Sequence, residues 1–213
     1  MGVQATKLCL VVRADAGAAD RLAAVLSAVP AASVIVTAAG ERTLDAQTAR
    51  PLVDLIQRSG AAALIMGDAR LARTLKADGV HLPVSDKIQA AYTEAREILG
   101  RSAIVGADAG RSRDDAMTLG EAGADYIGFG VPAAVKEQDR ARARRLDLIA
   151  WWAEIFEVPC IAFDVADPDE VEDLTRAGAD FIAVTLPAAM SSADARDHVA
   201  LYAGAVEAGA KTG

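Results

Sequence analysis

The strongest constraint on the fold is an alternation of short apolar runs with longer amphipathic stretches. Eight such runs lie at Lys7–Val12, Ser33–Thr37, Ala61–Ile65, Gly79–Leu82, Ala103–Val105, Asp125–Phe129, Pro159–Phe163 and Phe181–Val184. Several are apolar almost throughout, which is typical of parallel strands that are buried on both faces. Eight strand–helix units in 213 residues predict an α/β fold, a single-domain (β/α)8 TIM barrel over residues 1–213, with a frayed tail at 209–213.

Composition and charge narrow the class of partner. The chain has 22 Lys and Arg residues against 30 Asp and Glu, a formal net charge of -8, whereas nucleic acids and anionic membranes select a basic surface. No apolar stretch is long enough to span a bilayer, and the N-terminus lacks the pattern of a secretory signal. Cys9 and Cys160 show no metal-type spacing. We therefore expect a cytoplasmic protein that binds a small molecule, with no nucleic-acid or membrane partner.

A local motif recurs where helices lead into strands. Asp78, Asp125 and Asp180 each follow an alanine and lie at the start of an apolar run. Aspartates in this place would lie at the N-terminal end of the barrel strands, where recurring residues serve stability rather than catalysis. We expect these three to be structural.

Functional side chains in such a barrel lie after the C-terminal ends of the strands. Asp68 and Asp86 follow the third and fourth runs, and carboxylates from adjacent loops can hold Mg²⁺ together with water. The alternative is that each aspartate caps the helix that begins next to it. The residues alone leave both interpretations open.

Two further side chains also allow more than one interpretation. His81 lies inside a strand run, where it is either a buried, hydrogen-bonded histidine or a ligand-binding one. Lys136 follows the strand end at Gly128–Gly130 and could contact a phosphate, form a Schiff base if it is buried, or remain a solvated loop lysine. The sequence contains no glycine-rich nucleotide loop, no Cys/His zinc cluster and no nucleophile elbow.

Several segments resemble the thiamine phosphate synthase/TenI family. Ala77–Leu82 followed by Asp86 is similar to that family's Ala-Asp-Gly-Val-His-Leu-Gly-Gln-x-Asp motif, and Gly123–Gly130 is similar to its Gly-Ala-Asp-Tyr-Ile-Gly-x-Gly strand. Val158–Ala162 and Ala177–Asp180 match its segments at the last two strands. The segments occur in the family's order, and the likeness runs from the first strand to the eighth.

The resemblance implies a (β/α)8 barrel and a coupling reaction of thiamine biosynthesis. A hydroxymethylpyrimidine diphosphate would join a thiazole phosphate, while Mg²⁺ and basic side chains hold the leaving diphosphate. Asp68 and Asp86 match the family's metal ligands, and Lys136 matches its lysine after the sixth strand. Contacts with the substrate are expected from Arg70, His81, Asp108, Lys136 and Asp164.

The chain departs from the family pattern at the phosphate-binding positions. Ile35–Ala39 lacks the two cations of the second strand, Asp164 stands where the family has a Gly-Gly loop, and Asp108 begins the segment after the fifth strand. Glycine loops let backbone N–H groups approach phosphate, whereas a carboxylate repels it. These replacements predict weakened diphosphate binding. The cations that could offset this loss are Arg70, Arg111 and Lys136.

Three functional hypotheses follow from these residues. The first is a divergent thiamine phosphate synthase that requires Mg²⁺. The second is a catalytically degenerate family member that acts as a small-molecule binding or partner protein. The third is a lyase or isomerase that uses Lys136 at the same mouth. An exposed Trp151 at the edge of its helix would, in addition, predict a homodimer contact.

Overall fold

A computed structural model describes residues 5–40, 42–132 and 134–212, and its eight strands close into a barrel. The strands are β1 (Lys7–Arg13), β2 (Ser33–Thr37), β3 (Ala62–Met66), β4 (Gly79–Leu82), β5 (Ile104–Asp108), β6 (Tyr126–Phe129), β7 (Cys160–Ala162) and β8 (Phe181–Leu186). The helices are α1 (Ala18–Leu26), α2 (Ala46–Arg58), α3 (Ala69–Leu75), α4 (Ile88–Leu99), α5 (Arg113–Glu121), α6 (Gln138–Ile155), α7 (Val171–Arg176) and α8 (Ser192–Thr212). A 3-10 turn at Pro168–Glu170 precedes α7. The predicted TIM barrel is confirmed.

Each strand pairs in parallel with the next, and β8 pairs with β1, where Cys9 lies opposite Ala183. Each of the eight predicted runs overlaps one strand. One marked difference is at β5, which continues through Gly106 to Asp108 because it pairs with β4 on one side and β6 on the other. Glycine and aspartate weaken the apolar pattern in the sequence, but neighbouring strands satisfy their backbone groups all the same.

Two apolar clusters fill the molecule. The barrel interior holds Cys9, Ile35, Leu64, Tyr126, Ile161, Phe163 and Ala183, and a larger cluster joins the outward faces of the strands to the helices. Gly106 leaves space for the ring of Tyr126, since a Cβ at this glycine would lie 2.0 Å from Cζ of the ring. Because the interior is packed in this way, function is confined to the ends of the barrel.

The three recurring aspartates lie at the N-terminal end of the barrel, as the sequence predicts. Each immediately precedes an even-numbered strand, and its carboxylate accepts a hydrogen bond from a backbone N–H of the strand before. The donors are Ala63 to Asp78 at 2.7 Å, Val105 to Asp125 at 2.8 Å and Cys160 to Asp180 at 2.8 Å. These carboxylates therefore join neighbouring strands at the end opposite to the predicted site.

Helix α8 continues to Thr212, so the backbone is helical through most of the tail predicted to fray, and Gly213 lies outside the described residues. The reason is close packing on α7. Gly209 is buried, and a Cβ there would lie only 3.0 Å from Cβ of Thr175.

The helices of the outer surface concern two further expectations, the absence of a membrane span and a subunit contact at Trp151. Within the described ranges, no helix is long and apolar enough to cross a membrane. Trp151 on α6 is partly buried, and the guanidinium of Arg113 lies over its ring at 4.4 Å from the centroid. Trp151 is thus not the exposed side chain on which the expected subunit contact depended. The homodimer stays a prediction.

Candidate functional site

Two carboxyl groups face the same glycine in the loops that follow the strands, here called the barrel mouth. A Cβ built on Gly130, directly after β6, would lie 2.7 Å from Oδ2 of Asp164 and 3.5 Å from Oδ2 of Asp108. A side chain at position 130 would force the carboxylate of Asp164 to move. The glycine thus leaves the two carboxyl groups, from the ends of β5 and β7, free to share one space.

Asp108 is the last residue of β5 and is half-buried. Its Oδ1 accepts a hydrogen bond from the backbone N–H of Gly110 at 2.7 Å. Burial raises the pKa of Asp108 from 3.8 to about 6, the hydrogen bond from Gly110 opposes this rise, and the negative charge of Asp164 adds to it. At neutral pH the group is therefore a carboxylate, but one that gains a proton readily.

Asp164 follows β7 in the left-handed backbone region, with φ 55°. This conformation is uncommon for a residue with a side chain, and aspartate is among the few that tolerate it. Burial raises the pKa of Asp164, while the backbone N–H of Val131 and the charge of Arg145 oppose the rise. Strained backbone of this kind is found mainly in functional loops, which makes the loop after β7 a candidate.

Arg145 fixes the position of the loop after β7. This α6 residue is 1% exposed, and its Nη1 donates to the carbonyl oxygens of Phe163 at 2.6 Å and Asp164 at 3.1 Å. Its Nη2 forms an ion pair with the carboxylate of Glu170. The sequence reasoning missed Arg145, although the spacing to Ile149 and Trp152 on one face of α6 was the signal that could have found it.

His81 lies in the barrel interior on β4. Its Nδ1 is 2.9 Å from the hydroxyl oxygen of Tyr126, and the ring of Phe163 packs on it with centroids 4.6 Å apart. Burial lowers the pKa of His81 to about 3, so the imidazole is neutral. The histidine therefore packs against Phe163, the residue next to Asp164. Of the two interpretations of His81, the structure has the buried, hydrogen-bonded histidine.

Asp68 and Asp86, the predicted metal ligands, are both exposed. Oδ1 of Asp68 accepts from the backbone N–H of Leu71 at 2.8 Å, which caps α3. Asp86 lies in the turn before α4, which begins at Ile88 without a side-chain cap. Capping thus occupies one oxygen of Asp68 and is not the role of Asp86. Among the described residues, no group of three His, Cys, Asp or Glu side chains could hold a metal ion.

The two predicted cations follow different strands of the barrel, Arg70 after β3 and Lys136 after β6. Arg70 is exposed on α3 and pairs with Glu94 at 3.2 Å. Lys136 is also exposed, whereas a lysine that forms a Schiff base is desolvated in an apolar pocket or placed beside another cation. It lines a groove of about 660 Å³ together with Arg111, Val135, Glu137, Arg140, Ala141 and Arg144.

Comparisons with known proteins point to one family. A family model described as "Thiamine monophosphate synthase" matches residues 8–187. The chain is similar to the thiamine-phosphate synthase of Erythrobacter litoralis, with 41% identity over 160 residues, 74% of this chain and 73% of that protein. It is also 38% identical to the thiamine-phosphate synthase of Rhodospirillum centenum over 132 residues, 61% of each chain. The thiamine phosphate pyrophosphorylase of Pyrococcus furiosus, 21% identical, superposes with a TM-score of 0.75 over 98% of this chain and 99% of its own, which shows the shared fold.

Proposed function

The chain belongs to the thiamine monophosphate synthase family, and from that premise we propose that it joins 4-amino-5-hydroxymethyl-2-methylpyrimidine diphosphate to a thiazole phosphate. In this reaction the C–O bond between the pyrimidine methylene group and the diphosphate breaks, and the electron pair leaves with the diphosphate. The thiazole nitrogen then forms the new C–N bond. The demand on the protein is to stabilise a cationic methylene group and an anionic leaving group.

The observation that carries the proposal is the pair of carboxyl groups around Gly130. A carboxylate in a partly buried site stabilises a nearby positive charge more strongly than it would in water. Asp108 is half-buried and Asp164 is exposed at the mouth, and burial raises the pKa of both groups. The pair therefore suits the cationic half of the reaction, and its oxygens also suit the amino group of the pyrimidine as a hydrogen-bond donor.

Magnesium fits the exposed carboxylates of the adjacent strands β3 and β4. Carboxylate oxygens are ligands that Mg²⁺ prefers, and one or two of them suffice when substrate oxygens and water complete the shell. Asp86 has an exposed carboxylate, and Asp68 keeps one oxygen beyond the one that caps α3. These two residues would hold the ion, which when bound supplies positive charge for the leaving diphosphate.

The test is a direct assay of thiamine phosphate formation. Purified protein is incubated with both substrates and Mg²⁺, and the product is measured by liquid chromatography. We expect turnover in the wild type, at least about a tenfold loss in Asp108→Asn and wild-type rates in Asp54→Asn, which makes the same change at an exposed position on α2. Product formation that is absent in the wild type, or equal in Asp108→Asn, would contradict the proposal.

A second candidate is a binding protein of the same ancestry without turnover. The observation that favours it is at the end of β2, where Thr37 and Ala39 stand at the two positions that carry cations in the family pattern. In that case diphosphate with Mg²⁺ would still raise the melting temperature of the protein, while no product would form. The product assay combined with thermal unfolding separates the two candidates.

A further inference from the structure

Three polar side chains lie on the side of the barrel mouth that is farthest from Asp108. They are Thr185 on β8, Arg13 on β1 and Thr37 on β2, and these three strands are neighbours in the closed barrel. Counted in either direction around the barrel, β1 lies four strands from β5, which ends at Asp108. The three side chains therefore stand across the mouth from that carboxyl group.

Strand geometry places these three side chains on the face of the sheet that is turned toward the barrel axis. Successive residues of a strand point to opposite faces, so residues an even number of positions apart share a face. Each of the three follows a member of the interior cluster at such a spacing on its own strand: Cys9 and Arg13, Ile35 and Thr37, and Ala183 and Thr185. They thus continue the interior face of the barrel at the end where it opens.

The strand register brings the three positions together. Arg13 lies opposite Thr37 in the pairing of β1 with β2, and Thr185 lies opposite Val11, on the same face of β1 as Arg13 and nearer the barrel centre. Neighbouring strands are only about 4.8 Å apart, so the guanidinium group and both hydroxyl groups are within reach of one small ligand. Arg13 and Thr185 are exposed and Thr37 is half-buried, so solvent reaches this part of the interior face.

These side chains have no partner in the part of the chain that the structure describes. No carboxylate there lies within ion-pair distance of Arg13, and neither threonine hydroxyl forms a hydrogen bond there. Asp15, the acid that follows Arg13 in the chain, pairs with Arg21 of α1 instead. One positive charge and two hydroxyl groups are therefore left for a ligand.

This set of groups suits a single phosphate group. Arginine donates two parallel hydrogen bonds to phosphate oxygens, and a threonine hydroxyl can donate to a further oxygen. One positive charge offsets a larger part of the charge of a monophosphate than of a diphosphate, which carries more negative charge. The three side chains therefore match a phosphate monoester better than a diphosphate.

We propose that Thr185, Arg13 and Thr37 form a binding site for a phosphate monoester. The ligand is then the thiazole phosphate, an identification that rests on the proposed function, whereas the site itself does not. The phosphate is held on β8, β1 and β2, and the carboxyl pair follows β5 and β7. The mouth thus has one side for negative charge and another for positive charge.

Orthophosphate is the probe for the site, and its binding is followed by NMR titration of the backbone amides. We expect phosphate to shift the signals of Arg13, Thr37 and Thr185. Arg13→Gln should weaken the binding about tenfold and Thr185→Val about threefold. Lys7→Gln is the matched control, because Lys7 is an exposed cation at the opposite end of the same strand. Thermal unfolding verifies that each variant is folded.

The assay of thiamine phosphate formation shows which substrate uses the site. In Arg13→Gln, the KM for the thiazole phosphate should rise about tenfold, while the KM for the pyrimidine diphosphate stays unchanged. Lys7→Gln should change neither value. A general loss of stability would not divide the two KM values in this way.

The outcomes separate this inference from the proposed function. No phosphate binding by the wild type, equal binding by Arg13→Gln, or an equal loss in Lys7→Gln overturns the site. A rise in the KM for the pyrimidine diphosphate instead overturns the assignment to a monoester. Turnover with both KM values unchanged in Arg13→Gln refutes the site but leaves the synthase function standing. Phosphate binding that is lost in Arg13→Gln, without any turnover by the wild type, supports the site and refutes the synthase function.

Discussion

Replacing Asp108 by asparagine should stabilise the fold and impair the reaction. Asparagine has nearly the same shape, and its carbonyl oxygen can accept the hydrogen bond that Oδ1 receives from Gly110 at 2.7 Å. The substitution therefore removes the charge and leaves the contact. Because a partly buried carboxylate beside Asp164 is unfavourable for the folded state, its removal relieves a cost.

The size of the effect follows from the pKa of Asp108. The value rises from 3.8 to about 6 in the folded protein, and each pKa unit corresponds to about 1.4 kcal/mol. The charged side chain then lowers the free energy of unfolding by at most about 3 kcal/mol at pH 8. The unfolded chain releases this proton at lower pH than the folded one. The free energy of unfolding therefore falls as the pH rises from 3.8 to about 6, and above about 6 this contribution no longer changes.

Urea denaturation of the wild type and Asp108→Asn at pH 5 and pH 8 measures this difference. We expect the variant to be more stable at both values, with a gain at pH 5 about half of that at pH 8. The control Asp54→Asn should change stability little at either pH, because Asp54 is exposed. A gain that is independent of pH, or a loss of stability at pH 8, would refute the reasoning.

Three further predictions concern the support of the site. Arg145→Met leaves Glu170 without its closest cation and should lower the free energy of unfolding by about 3 kcal/mol in urea denaturation; a change below about 0.5 kcal/mol would contradict this. Gly106→Ala places a methyl group against Tyr126 and should lower the free energy of unfolding by about 1–3 kcal/mol, measured by thermal unfolding. An unchanged melting temperature would contradict this. Asp164→Asn removes the negative charge next to Asp108 and should lower the pKa of Asp108, measured by NMR titration; an unchanged pKa would show that the two groups do not interact.

The apolar pattern predicted the barrel because each strand is a local feature of the sequence. The runs at Ser33–Thr37 and Gly79–Leu82 coincide with β2 and β4. The recurring aspartates were predictable for the same reason, since a residue between a helix and a strand has its place in a barrel set by connectivity. A strand end such as that of β5 was less predictable, because pairing with neighbouring strands decides where it stops.

The candidate site was only partly predictable. Asp108 and Asp164 could be placed at the mouth, and Gly130 is visible as a close-packing glycine at a strand end, but the sequence does not show that the space at Gly130 is shared by these two carboxyl groups. Arg145 illustrates the other limit. A charged residue on a helix is expected to point to solvent, and the carbonyl groups of the loop after β7 together with the carboxylate of Glu170 explain why Arg145 does not.

The rate of thiamine phosphate formation as a function of pH tests the central claim most directly. If the carboxyl pair stabilises the cationic pyrimidine, kcat/KM of the wild type should fall as the pH drops through about 6, where Asp108 of the free protein gains its proton. Asp108→Asn should be slow at every pH and should lack this inflection. A protein that forms no product at any pH, or a variant with the same rate and the same inflection as the wild type, would contradict the account.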